Sequence, residues 1–250
     1  MWDFLTHWGK NKYRCACCGN EVEEYLPLPD MYKNMLVESG ATPWRCEMLN
    51  EDAYSCPHCG AADRERVYAL WIKRNLPADK SVKILDIAPA KPLTDFLRRE
   101  FPSADYLSGD LFMENVDIRL DIMDMRQIES ASVDFLICSH VLEHVPDDLR
   151  AMREIRRVLS PAGSALVVVP LDLNQQTTDE DADCQDVMER WRRFGQDDHI
   201  RKYAKADFLK RLSSAALKVT AYDTEYFGRR ACEENAVTST SVVYIAQPNG

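Results

Sequence analysis

Two Cys-x-x-Cys-Gly pairs, Cys15-Ala-Cys-Cys18-Gly19 and Cys56-Pro-His-Cys59-Gly60, carry the most specific local chemistry in this chain. A glycine after the second cysteine permits the tight turn that lets two thiolates face one point. Four such sulfurs, Cys15, Cys18, Cys56 and Cys59, suit a tetrahedral zinc ion. With every position a cysteine and none left for water, that ion would be structural. Cys17 could replace Cys15 or Cys18, but only the 15/18 choice repeats the spacing and trailing glycine of 56/59. His58 lies inside the second knuckle and is not expected to be a ligand. A second group, His140, Glu143 and His144, falls at i, i+3 and i+4, one face of a helix start that could hold a divalent ion.

These residues need elements to hold them. Residues 1–66 read as a small zinc-ribbon-like module, with apolar stretches at 25–28 and 31–37 between the knuckles. Residues 67–72 read as a helix ending before Pro77. From Val82 onward, strands alternate with helices. The apolar runs 82–87, 104–110, 116–121, 133–138 and 165–169 predict strands, and the second and third end in Asp110 and Asp121. Helical patterns run through 93–99 and 149–159, the latter with apolar residues at 149, 152, 155, 158 and 159. Such alternation predicts an α/β domain over 67–250, with a doubly wound, mainly parallel, Rossmann-like sheet of seven strands. Runs 217–222 and 241–246, with no convincing helix between them, predict a terminal antiparallel hairpin at one edge. Residues 171–204 interrupt the pattern as an insertion expected to shape a pocket.

The most specific stretch is Phe135-Leu136-Ile137-Cys138-Ser139-His140-Val141-Leu142-Glu143-His144-Val145-Pro146-Asp147-Asp148, continuing through Met152 and Glu154 to Val158-Leu159-Ser160-Pro161-Ala162-Gly163. With these residues, 82–247 resembles the class I S-adenosylmethionine-dependent methyltransferases, in their small-molecule, type 11-like branch. The paired knuckles and Phe194-Gly195-Gln196-Asp197-Asp198-His199-Ile200-Arg201-Lys202-Tyr203 are similar to a bacterial subgroup of it. In open parallel sheets ligands bind beyond the carboxyl ends of the strands, where strand order reverses. The resemblance therefore implies that Asp86, Ile87, Ala88 and Pro89 face the methionine part of the cofactor. It implies that Asp110, followed by Leu111, accepts the ribose hydroxyls, and that Asp121 and Ile122 meet the adenine. Ser139 and His140 would lie beside the transferred methyl, which makes His140 the leading general base, with a pKa expected near working pH. The Leu-Glu-His-Val element reads as fold-wide, with Glu143 and His144 bonding backbone and loop, although a related pattern holds an ion in some family members. His199 and Arg201 flank the expected cleft and are acceptor-site candidates. The acidic run 179–183 reads as a solvated loop. One departure stands out: the first loop, Ala88-Pro89-Ala90-Lys91-Pro92, contains no glycine where the family is glycine-rich.

Charge and composition narrow the function. The net charge is −10; residues 1–75 hold nine Lys/Arg against eleven Asp/Glu, a net of −2, and the rest carries −8, so neither part is basic. That weighs against a broad nucleic-acid-binding face. No window of about 18 apolar residues suggests a membrane span, and residues 1–5 lack the pattern of a signal peptide. Five of nine cysteines lie in the knuckle region, which fits a reduced, cytoplasmic setting. The expected activity is S-adenosylmethionine-dependent O- or N-methylation of a small polar acceptor, a sugar or another metabolite, beside a structural zinc. The alternatives are an RNA methyltransferase using the zinc module for its substrate, and a non-catalytic interaction protein that has kept the fold. Loss of any knuckle cysteine is expected to unfold the module before it alters cofactor affinity.

Overall fold

The computed structural model describes residues 13–78 and 81–249; residues 1–5, in which no signal peptide was read, lie outside the described residues. The N-terminal part holds β1 (Tyr13–Arg14), β2 (Glu21–Val22) and α1 (Asp30–Glu38), and α2 (Asp63–Asn75) leads out of it. Then β3 (Lys83–Ile87), α3 (Lys91–Glu100), β4 (Asp105–Asp110), β5 (Ile118–Arg119), β6 (Val133–Ser139), α4 (Asp148–Val158) and β7 (Leu159–Val168) follow. Next come β8 (Asp179–Glu180), α5 (Val187–Phe194), β9 (Arg201–Lys202), α6 (Lys205–Ser214) and β10 (Leu217–Tyr222). The chain finishes with α7 (Thr224–Phe227), α8 (Arg229–Glu234) and β11 (Val243–Pro248).

Seven strands form one sheet in the order β10-β11-β7-β6-β3-β4-β5. The run from β7 to β5 is parallel, while β11 lies antiparallel between β7 and β10. The doubly wound sheet with an antiparallel pair at one edge is thus present. Residues 224–234 between those last strands, read as lacking a helix, form α7 and α8; the Asp223 carboxylate accepts from the Glu225 and Tyr226 amides and starts the first. The third strand is shorter than its apolar run, pairing with β4 only through Ile118 and Arg119.

Alternation along the strands divides the core into two layers. Leu85, Leu136, Cys138, Ala165 and Val167 face α4 and α6 through Met152, Ile155, Phe208 and Leu212. Ile84, Phe135, Ile137, Leu166 and Val168 face α2 and α3 through Tyr68, Trp71, Leu93 and Phe96. This second layer is continuous with the knuckle region, since Cys15, Cys17, Val22 and Tyr25 belong to the same apolar cluster.

Two joints fasten the N-terminal part to the sheet. Fully buried Arg66, on α2, donates to the carbonyls of Ala53, Tyr54, Ala61 and Asn235 at 2.7–3.1 Å, and its guanidinium lies 3.8 Å from the centre of the Tyr25 ring. Farther on, Cys46 bridges antiparallel to Asp172 at the start of the insertion. Trp44 packs beside that bridge against Gly195, which ends α5 at φ 84° and has no room for a Cβ, the indole being 2.6 Å from where one would sit. Among the described residues no helix is long and apolar enough to cross a membrane.

Candidate functional site

The two knuckles fold alike. Gly19 donates to the Cys15 carbonyl and Gly60 to the Cys56 carbonyl, at 2.7 and 2.8 Å, and both glycines are left-handed at φ 77° and 78°. The four sulfurs of Cys15, Cys18, Cys56 and Cys59 lie within 4.8 Å of one another. Across the knuckles, Cys15 and Cys59 are 3.8 Å apart and Cys18 and Cys56 are 3.9 Å apart. Zinc–sulfur bonds of about 2.3 Å in a tetrahedron give an edge of about 3.8 Å, so the donor set fits zinc in both chemistry and spacing. Cys17 points elsewhere, its thiol 3.3 Å from the Glu65 carbonyl.

At the carboxyl edge of the parallel strands, the register sets four strand ends side by side. Ile87 pairs with Gly109 and Cys138, Gly109 with Ile118, and Ser139 with Val168. The chain winds from β3 outward to β5, then returns to β6 on the opposite side of β3, so the crevice between β3 and β6 is the switch point of the fold. Asp86 closes β3, 1% exposed, with the Tyr106 hydroxyl donating to it at 2.8 Å; burial pushes its pKa up to about 7. Ala88 follows in left-handed backbone at φ 52°, the conformation a glycine would take without strain. Asp110 ends β4, with one carboxylate oxygen held by the amides of Phe112 and Met113 at 2.6 and 2.7 Å. Asp121 repeats the device on the Met123 amide at 2.8 Å, and Ile122 beside it is buried. In each case the bonds to backbone amides use one oxygen of the two.

Beyond β6 the backbone turns sharply. His140 is left-handed at φ 56°, and a short 3-10 turn, Leu142–His144, follows. Glu143 in that turn is fully buried, and neither carboxylate oxygen has a hydrogen-bond partner. His140 Nδ1 lies 3.4 Å from Glu143 Oε1, and His199 Nε2 lies 4.0 Å from the same oxygen. Burial raises Glu143 to about 7 and lowers His199 to about 4, with His144 adding to the second effect. Burial also holds His140 well below an ordinary imidazole, helped by the Arg64 guanidinium. Both effects favour the neutral form of the His140 imidazole over the charged one.

Residues 77–167 match a methyltransferase domain family. The chain carries a methyltransferase domain. No curated protein matches the chain in sequence. In structure it is similar to the complex between the Haloferax volcanii Trm112 methyltransferase activator and a candidate methyltransferase, at 14% identity and a TM-score of 0.50 over 75% of this chain and 92% of that one. It is also similar to the YcgJ protein from Bacillus subtilis, at 14% identity and a TM-score of 0.47 over 74% of this chain and all of that one. A third similar structure is the trans-methyltransferase CalH complexed with SAH, at 15% identity and a TM-score of 0.45, covering 76% and 56% of the two chains. The first of these likenesses, with the strand order, places the sheet in the class I methyltransferase fold.

In the methyltransferase domain the residues singled out by sequence fall into two groups. Asp86, Ile87, Ala88, Asp110, Asp121, Ser139 and His140 share the strand-end edge, with Pro89, Leu111 and Ile122 in the adjoining turns. His199 faces the same Glu143 oxygen as His140. Arg201 does something else: Nε bonds Glu180, Nη1 bonds the carbonyls of Leu142 and Val145, and Nη2 bonds that of Pro146. It clamps the turn carrying Glu143 and His144. Sequence reading missed Arg64 and Tyr68, one turn apart on α2. Tyr68 is hydrogen-bonded with Ser139 at 2.9 Å, and Arg64, held by the Tyr54 hydroxyl at 3.1 Å, is close enough to lower the pKa of His140. Their i, i+4 spacing was the available signal, but it did not say which face of α2 meets the crevice.

Proposed function

We propose that this chain is an S-adenosylmethionine-dependent methyltransferase whose acceptor is a small polar molecule. The observation that carries the reading is the pair of aspartates, Asp110 and Asp121. At adjacent strand ends, each is fixed by backbone amides through one oxygen, and the other would meet the cofactor. Asp110 would hold the ribose, while Asp121 and Ile122 would hold the adenine. The left-handed Ala88 supports the same fit, because the loop without glycine still makes the turn that brings backbone to the crevice. Arg64, close enough to act on His140, would supply a cation suited to the carboxylate of the methionine end.

S-adenosylmethionine brings an activated methyl on its sulfonium, so the protein's share is alignment and proton removal. His140, directly after β6 and beside the crevice, is the group we assign to take the acceptor proton. Glu143 and His199 would line the acceptor side, and Arg201 would position their turn. The net charge of −10 supports a small acceptor rather than RNA. The four cysteines would hold zinc as a structural ion.

Calorimetry with S-adenosylmethionine and S-adenosylhomocysteine tests the reading. The wild type should bind both, and Asp110→Ala and Arg64→Ala should each weaken binding by about 10- to 100-fold, as expected for lost charge-assisted hydrogen bonds. A wild type that gives neither heat nor a thermal shift with either compound sinks the reading.

A further inference from the structure

Glu143 poses a problem that the methyltransferase reading leaves unsolved. It is 0% exposed, and both carboxylate oxygens lack a hydrogen-bond partner. A buried carboxylate in that state is costly unless another group compensates it. Three histidines stand around it: His140 just before its turn, His144 within the turn, and His199, delivered by the insertion. The insertion is pinned there by backbone, since the Ile200 amide donates to the Glu143 carbonyl at 3.1 Å.

We propose that Glu143, His144 and His199 form a second metal site, separate from the cysteine cluster, that takes a first-row divalent cation. One donor atom from each of the three lies within 4.8 Å of the others. Each imidazole is also oriented from behind, as metal-bound histidines are. His199 Nδ1 is 3.1 Å from the Phe194 carbonyl, and His144 Nδ1 is 3.3 Å from the Asp198 carbonyl and 3.4 Å from its carboxylate. Both rings therefore keep Nε2 for the ion. Two imidazoles and one carboxylate select zinc, iron, cobalt or nickel over calcium or magnesium, which prefer all-oxygen shells. Bonds of about 2.1 Å at tetrahedral angles separate donors by about 3.4 Å. The 4.0 Å between His199 Nε2 and Glu143 Oε1 must therefore close slightly on binding. His144, with a third of its side chain exposed, has room to swing in. Three protein donors leave a position open, and His140, 3.4 Å from the same carboxylate oxygen, stands beside it. Unlike the closed cysteine site, this one can bind a further ligand.

The site needs no bound cofactor, so it is measured independently of methyl transfer. The full-length reduced protein is loaded with Co2+, and metal per chain is read by mass spectrometry alongside the visible spectrum. Two ions per chain are expected, one with intense thiolate charge-transfer bands and one with only weak ligand-field bands. Glu143→Gln, nearly isosteric, should keep the thiolate bands and the fold by circular dichroism, yet bind the second ion at least about tenfold more weakly. His199→Gln should do the same; if that variant fails to fold, Glu143→Gln alone carries the test. One ion per chain in the wild type at micromolar free Co2+, or two ions undiminished in Glu143→Gln, overturns the proposal.

Discussion

Asp86 shows how far one residue can depart from its ordinary chemistry. Its place near the end of β3 was legible from the sequence, because an acid closing a β-rich run is a local pattern. Its protonation was not, because that depends on Ile84, Tyr106 and the neighbouring strands closing around it. Burial raises its pKa from an ordinary carboxylate value of 3.8 to about 7. Between those limits the folded state keeps a proton that the unfolded chain gives up, so rising pH costs stability until about pH 7 and nothing more above it. Urea unfolding of the cofactor-free wild type and Asp86→Asn checks this. Between pH 5.5 and 8 the asparagine variant should gain about 2 kcal/mol relative to the wild type. A constant gap between the two proteins would show that Asp86 is ionised throughout. Ala88 makes a related point: the sequence showed a missing glycine, and the structure shows that alanine adopts the required φ of 52°, at a cost of about 1–2 kcal/mol.

Among elements, α2 joins most of the molecule. Its inner face packs Tyr68, Trp71 and Ile72 onto the sheet, its first turn sets Arg64 close enough to His140 to lower that imidazole's pKa, and Arg66 reaches back into the knuckle region. The sequence predicted a helix from residue 67, and the start at Asp63 depends on capping that the apolar pattern does not reveal: the Glu65 carboxylate accepts from the Ala62 amide. Arg66→Lys keeps the charge but loses the planar fork that serves four carbonyls. It should cost about 3 kcal/mol or more in chemical denaturation, because buried acceptors lose their donors. A cost under about 1 kcal/mol would mean that water replaces the guanidinium. Arg201 serves the insertion in the same way, through β8 and β9. From its place beside the expected cleft it reads as an acceptor-site residue, yet its donors are turned inward to the 142–146 backbone and Glu180.

At the scale of the whole molecule, the knuckles and the sheet share one apolar layer. The Ala16 amide donates to Asn235, the Tyr25 hydroxyl to the Glu234 carbonyl, and Arg99 to the Cys17 carbonyl. Sequence alone suggested a module that would unfold by itself when a cysteine is lost. These contacts predict cooperative loss instead. Removing zinc with a strong chelator under reducing conditions should lower the Tm of the whole chain by on the order of 10 °C, in a single transition followed by far-ultraviolet circular dichroism and tryptophan fluorescence together. Two transitions, the later one at the original temperature, would show that the lobe is independent after all. A groove of about 900 Å³ also lies along this seam, between Tyr25, Asn50 and the α7–α8 segment.

The sequence by itself determined the sheet, its winding, the strand-end acids and the choice of Cys15, Cys18, Cys56 and Cys59. Each of these is written in short-range periodicity or spacing, and the parallel register then brings the strand ends together. It did not determine the company that Glu143 keeps. His199 reaches that carboxylate because β8 pairs with β9, Ile200 bonds the Glu143 backbone and Arg201 pins the turn. Those are contacts between segments far apart in the chain, and no local pattern encodes them. Burial settled the rest, since excluding water turned a surface-like Glu-His pair into an unpaired carboxylate ringed by imidazoles.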